Sequence, residues 1–534
     1  MQELETWSQF ASSIRRYAGT YVPIPFFVVL PMLEFLSSLQ GIRCAFATLL
    51  LSVSVLPAVA ADTTSRAAIF HTPSTVRKTV SIGGQAITYD VTVGHLPLIR
   101  EDGTERAKVF FIAYTRTGVA DPTKRPVTFS FNGGPGSSSV WLHLGTLGPR
   151  RVAMNDDGSP LPPPYKLVDN DQSWLDLTDL VFIDPVSTGF SRANDEKEAR
   201  TFHGVQQDVE SVGDFIHRWT STNARWASPK FLIGESYGTT RASALSDHLQ
   251  GRYGMFLNGV ILVSAVLQFQ TISFDDGNDL PFALFLPSYT ATAWYHKKLS
   301  PTLLSMPLEE VVQRARQFAG GPYTLALMLG DGLQGAPRTQ AIDSVVHYTG
   351  LDRLYVERTN LRPNIHRLTQ ELLRTEGKVV GRFDSRYTGI MTDPLSEWQE
   401  RDPSYAPAVQ GAYSTCINDY LRRELGVTTA LPYEVLTGKV RPWDFSGATN
   451  EYLSVAPALR SAMASNPDLR VWVLNGYYDL ATPFHAAEYT ISHMGLPAAL
   501  RPNVSMTYYN AGHMMYLLKS ELVRMKDDAK RFFR

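Results

Sequence analysis

Between residues 126 and 265 short apolar runs end in small and polar residues, and a helical pattern follows the second and the third of them. Val127–Phe131 runs into 132-NGGPGSSS-139, Leu180–Ile183 into 184-DPVSTGFSR-192, and Phe231–Ile233 into 234-GESYG-238. Val205, Val209, Val212, Phe215, Ile216 and Trp219 recur at helical spacing over 203–222, and 240–252 reads as the helix after the third run. Residues 257–264 form a further strand. Buried strands that alternate with helices require a parallel sheet with helical crossovers. The alternation stops near 268 and resumes at 470-RVWVLNGYYD-479 and 504-VSMTYYNAGH-513. Upstream, 78–98 reads as a hairpin about Gly83-Gly84, and Lys108–Tyr114 as a third strand.

The expected class is therefore α/β: a mainly parallel central sheet built from residues 61–267 and 446–534. A largely helical cap insertion, 268–445, interrupts it and covers the mouth of the site. Trp294, Tyr295, Tyr387 and Trp443 are expected to pack inside that insertion, with a pocket-lining role as the alternative.

The N-terminus reads separately. Residues 42–64 carry Arg43, an apolar stretch and Ala58-Val59-Ala60, the order of a secretory signal. We expect 32–60 to be a signal peptide starting at Met32, cleaved after Ala60, with 1–31 an upstream extension. The apolar run from Cys44 to Leu56 falls short of the roughly 20 residues of a membrane span, and Pro57 ends it. An uncleaved anchor is the alternative. The expected location is secreted or periplasmic, with no stable membrane insertion after cleavage.

Fifty basic and 51 acidic residues leave a net charge of -1, so no basic footprint for nucleic acid exists. Cys44 and Cys416 are the two cysteines. Signal removal leaves Cys416 alone, which excludes an internal disulfide and a cysteine-type zinc site. H-E-x-x-H is absent, and no metal or cofactor is expected.

Gly234-Glu235-Ser236-Tyr237-Gly238 spells G-x-S-x-G between a strand and a helix, the context of a nucleophile elbow. Serine needs a base to take its proton, and the base needs an orienting acid. In α/β-hydrolases these follow in the order Ser…Asp/Glu…His. Asp479 follows one late strand and His513 the last one, where catalytic groups of an open α/β sheet converge. His485 and His493 are late as well but fall in a helical stretch. A packed core histidine is the plainer alternative for His513. Two backbone N–H groups should face the developing oxyanion, one from Tyr237 and one from the loop 132–136. A phosphate-binding loop is disfavoured there because the G-K-[ST] ending is missing.

Together and in this order, NGGPGSSS, DPVSTGFS, GESYG and NGYYD…AGHM resemble the serine carboxypeptidase family of α/β-hydrolases, over roughly 126–265 and 468–520. The absence of disulfides resembles a bacterial-type member. The resemblance implies a triad of Ser236, Asp479 and His513, with oxyanion donors at Gly134 and Tyr237. It also implies that Asn132 and Glu235 hydrogen-bond the terminal carboxylate of the substrate, a peptide with a free C-terminus. Two carboxylates repel unless one carries a proton, which favours acidic pH.

Three positions depart from that pattern. Thr146 stands where many members have a second glutamate, Ser137 replaces a cysteine, and Ser187 replaces a glycine. The expected function is a serine-type carboxypeptidase acting through an acyl-enzyme. The loss at Thr146 keeps an esterase or acyltransferase on the same scaffold as the alternative. A non-enzymatic binding protein would need a broken triad.

Overall fold

In the computed structural model, residues 71–445 and 451–534 are described, all within the unit Asp62–Arg534. The expected extension 1–31 and the signal peptide 32–60, with its cleavage point, lie outside them.

The chain opens with the hairpin expected from its alternation. β1 (Ser74–Ile82) and β2 (Gln85–Ile99) pair antiparallel across Gly83 and Gly84, whose φ of 55° and 80° suit a two-residue turn. β3 (Glu105–Arg116) adds antiparallel to β2. Then come the buried strands β4 (Val127–Phe131), β5 (Asp179–Ile183), β6 (Lys230–Glu235) and β7 (Gly259–Val263), with every residue buried. Such runs are covered on both faces, which is why they lack alternation. β8 (Arg470–Gly476) and β9 (Val504–Tyr509) complete the path.

The sheet order is β1-β2-β3-β5-β4-β6-β7-β8-β9, with the short strand Arg192–Ala193 also on β3. From β5 across to β9 every neighbouring pair is parallel. This is an α/β-hydrolase sheet: a parallel array with the antiparallel hairpin at one edge.

α1 (Val205–Thr222) and α2 (Tyr237–Tyr253) pack against one another. α1 buries Val205, Val209, Val212, Phe215, Ile216 and Trp219, the stripe set out by its sequence.

Between β7 and β8 lie residues 264–469. α3 (Leu280–Tyr295), α4 (Leu308–Phe318) and α5 (Gly335–Thr349) share a core of their own that includes Phe285, Tyr289, Val311, Val345 and Leu368. Ala408, Ala412, Cys416, Tyr420 and Leu425 instead join the cluster against the sheet. A two-stranded hairpin, Lys378–Val380 with Thr388–Ile390, interrupts the helices. It had no sequence signal, since each strand has three residues. α6 (Ala456–Ser465) packs on α2, and α7 (Phe484–His493) and α8 (Lys519–Phe532) follow β8 and β9. Among the described residues no helix is long and apolar enough to cross a membrane.

Candidate active site

β6 ends in a sharp turn at Ser236, whose φ of 59° and ψ of -129° are costly for a residue with a side chain. The turn is tolerated because its neighbours are glycines. A Cβ on Gly234 would sit 2.0 Å from the Gly238 carbonyl oxygen, and one on Gly238 would sit 2.9 Å from that of Phe131. Ser236 is fixed at both ends. Its N–H donates to Val263 O at 3.0 Å, and its carbonyl accepts the Thr239 N–H at 2.8 Å. α2 starts at Tyr237, so the Tyr237 N–H has no intrahelical acceptor.

β4 neighbours β6 in the sheet, so its terminal loop 132–136 falls against the elbow. Gly133 is the contact: a Cβ there would meet Tyr237 N at 2.5 Å. Gly134 follows at φ 103°. Gly134, Ser236, Tyr237 and His513 line one cavity of about 540 Å3.

Asp479 and His513 follow β8 and β9, which are parallel neighbours, and both side chains are buried. His513 Nδ1 lies 2.8 Å from Asp479 Oδ2. Asp479 Oδ1 accepts the N–H groups of Ala481 at 2.8 Å and Thr482 at 3.0 Å. The Thr482 hydroxyl lies 2.9 Å from Asp479 Oδ2. Burial alone would pull the His513 pKa down. The Asp479 charge and hydrogen bond outweigh it and leave the pKa raised. The 381–386 segment secures this loop from the other side. His513 N–H donates to Phe383 O at 2.6 Å, and Gly512 N–H to Asp384 Oδ2 at 3.0 Å.

Glu235 is buried beside Ser236. Asn132 Nδ2 donates to its Oε1 at 2.9 Å and the Tyr516 hydroxyl to its Oε2 at 2.7 Å. Burial pushes its pKa up to about 7, against the opposing pull of His513 and Tyr516. Asn132 is held in turn. Its carbonyl accepts from Arg241 Nη1 at 2.6 Å, and Arg241 Nε pairs with the buried Asp208 at 2.7 Å.

Other sequence candidates lie elsewhere. His485 pairs with Glu488 at 2.6 Å, and His493 stacks on Tyr489. Trp443 stands edge-on to Tyr237 at 5.5 Å, while Trp294 packs on the α3–α5 core and Tyr387 on the sheet core. None of these, nor Tyr295, lines the Ser236 cavity. Thr146 is buried with its hydroxyl 3.9 Å from Met525 Sδ. Ser137 Oγ accepts from Trp141 Nε1 at 2.9 Å. Ser187, at φ 75°, bonds His203 Nε2 at 2.8 Å beside a different cavity. Sequence reasoning missed Thr482, Tyr516, Phe383 and Asp384. Each meets the site through the fold, and no motif spacing pointed to them.

Residues 88–268 match the serine carboxypeptidase family model, which bears out the resemblance over that span. The pheromone-processing carboxypeptidase KEX1 of Saccharomyces cerevisiae is 34% identical over 155 residues, 27% of this chain and 20% of that protein. The match therefore spans about a fifth of KEX1. Serine carboxypeptidase-like 34 of Arabidopsis thaliana is 24% identical over 408 residues, 70% of each chain. The crystal structure of Kex1(delta)p aligns with a TM-score of 0.48 and 17% identity, covering 83% of this chain and 92% of that one.

Proposed function

We propose that this chain is a serine-type carboxypeptidase that removes C-terminal residues from peptides. Glu235 carries the reading. A buried carboxyl beside the nucleophile, with its pKa at about 7, keeps a proton that it can share with a substrate carboxylate. An ordinary esterase has no use for such a group.

In the proposed mechanism, Asn132 and protonated Glu235 hold the terminal carboxylate, which fixes the last peptide bond over Ser236. His513 Nε2 takes the Ser236 proton as Oγ attacks the carbonyl carbon. Asp479 keeps the ring oriented and stabilises its positive form. The N–H groups of Gly134 and Tyr237 receive the oxyanion. Collapse expels the terminal amino acid with a proton from His513. Water activated by the same histidine then hydrolyses the acyl-enzyme. Residues 61–267 and 446–534 make the hydrolase core in this reading, and 268–445 the insertion over its mouth.

The test is a matched peptide pair, one with a free C-terminus and one amidated, given to the full chain and to Ser236→Ala. Release of the last residue from the free peptide alone supports the reading. Equal cleavage of both overturns it in favour of a broader peptidase or esterase, as the loss at Thr146 would allow. Inertness toward both, with turnover of an activated ester plus an alcohol, points to acyl transfer.

The signal-like order of 42–64 supports export, with cleavage after Ala60 and a secreted or periplasmic product. N-terminal sequencing of the exported protein tests this. A start at Ala61 supports it, and an intact N-terminus overturns it.

A further inference from the structure

Arg382 is a half-buried guanidinium inside the Ser236 cavity. Its group carries five N–H donors. Among the described residues none of the five has an acceptor within hydrogen-bond reach, and no carboxylate pairs with it. Of the nearby arginines, Arg386 binds Asp384 and Arg241 binds Asp208, and the exposed Arg441 also lines this cavity. Arg382 meets Asp402 only through its backbone N–H, 3.1 Å from Oδ1. A partly desolvated cation without a counter-charge is costly, so a ligand that supplies one gains from it.

Its position says which part of a ligand it meets. Leu142 N–H binds Asn132 Oδ1, which places the neighbouring Trp141 beside the proposed carboxylate-holding pair. From Trp141 an aromatic wall runs along the cavity. The Trp141 ring is 5.9 Å from that of Tyr405, which is 5.7 Å from Phe383. The Arg382 guanidinium lies 4.4 Å over the Phe383 ring, and that ring is 5.0 Å from His513. The wall thus begins at Asn132 and ends on a cation. A terminal residue with its α-carboxylate on Asn132 and Glu235 would lay its side chain along this wall.

Resting on the carboxypeptidase reading, we infer that Arg382 selects peptides whose C-terminal residue is acidic, by pairing with the side-chain carboxylate of that residue. The aromatic wall packs the methylene stem, and the planar guanidinium receives the carboxylate at its end. The α-carboxylate has its own partners at the far end of the wall, so the side chain is the carboxylate left for Arg382.

The experiment measures kcat/KM of the full chain on blocked peptides identical except for a terminal Glu, Gln, Leu or Lys. The wild type should favour Glu over Gln by about tenfold or more, the scale of a charge-assisted pair. Arg382→Gln should bring that ratio close to unity while sparing the Gln and Leu peptides. Arg382→Lys should restore part of it, and Arg382→Glu should favour the Lys peptide. A ratio near unity in the wild type, or one unchanged in Arg382→Gln, overturns the inference. So does an equal loss on all four peptides, which would assign Arg382 to the α-carboxylate or to structure. In each of those cases the peptides are still cut, and the carboxypeptidase reading survives. Failure to cut any of them sinks both.

Discussion

The Tyr516 hydroxyl donates to Glu235 Oε2 at 2.7 Å, while Asn132 holds Oε1 at 2.9 Å. Both donors stabilise the ionised carboxylate, and burial opposes them more strongly. The balance leaves the proton near the point of half-occupancy at neutral pH. Removing Tyr516 should therefore tip Glu235 toward the acid form. In Tyr516→Phe the rise of KM with pH should move to higher pH, with kcat at pH 5 changed little. A titration of KM against pH checks this, and an unmoved curve would sink it.

Glu235 should also make carboxylate recognition pH-dependent. In the proposed mechanism it donates to the substrate carboxylate below about pH 7, where it is protonated, and repels it above. The preference for a free over an amidated C-terminus should fall as pH rises through 7, and Glu235→Gln should flatten that fall. In the same mechanism His513 should set the acid limb, since it must lose its proton before it can act as the proposed base.

The same group is linked to stability. Its folded pKa, about 7, stands above the ordinary 4.5. Its favourable contribution is thus complete below pH 4.5 and fades as pH rises through 7. Glu235→Gln should be more stable than the wild type at pH 8 by up to about 3 kcal/mol, and by much less at pH 5. Thermal unfolding at the two pH values measures the difference.

Asp479→Asn should keep the fold and lower kcat by about 10³- to 10⁴-fold, because the histidine loses its orienting charge. Thr482→Val, which deletes one hydroxyl from Asp479, should cost far less. Equal losses would mean that the Asp479 charge is not what matters.

Gly133→Ala should disturb the proposed oxyanion site without replacing any residue of the proposed triad. The new Cβ would meet Tyr237 N at 2.5 Å, so loop 132–136 must withdraw. A loss of about 10²-fold in kcat, the scale of one oxyanion donor, is expected. Normal turnover would place the oxyanion elsewhere.

Arg241→Met leaves Asp208 buried without its cation and frees the Asn132 carbonyl. That should cost about 3–5 kcal/mol of stability. The double change with Asp208→Leu should recover much of it, and chemical denaturation of both variants decides.

The parts of this molecule that show in the sequence are those with a local cause. Val127–Phe131 and Leu180–Ile183 read as buried strands because both faces are covered, and Gly234 and Gly238 flank Ser236 because no Cβ fits there. Asp479 and His513 stand out because they close two strands that turn out to be neighbours. Leu280–Tyr295 had no separate signal, since a helix buried nearly all round has no polar face to set its period. Phe383, Asp384, Thr482 and Tyr516 were silent for another reason. Their partners lie in other segments, and nothing in their own surroundings marks the meeting. Arg382 is the extreme case, a charge whose meaning lies in the acid it lacks.

The long segment between β7 and β8 has a consequence for how the chain comes alive. Ser236 acquires its strained turn from β4, β6, β7 and α2, which are close in sequence. The proposed acid and base arrive only when β8 joins β7, across residues 264–469. Closing so long a loop costs little extra free energy but slows the search for the pairing. A half-folded or half-synthesised molecule thus carries a hydroxyl with nothing to draw off its proton. If the proposed triad holds, such a chain would be inert toward the loose chain ends around it, its own included, until β8 pairs with β7.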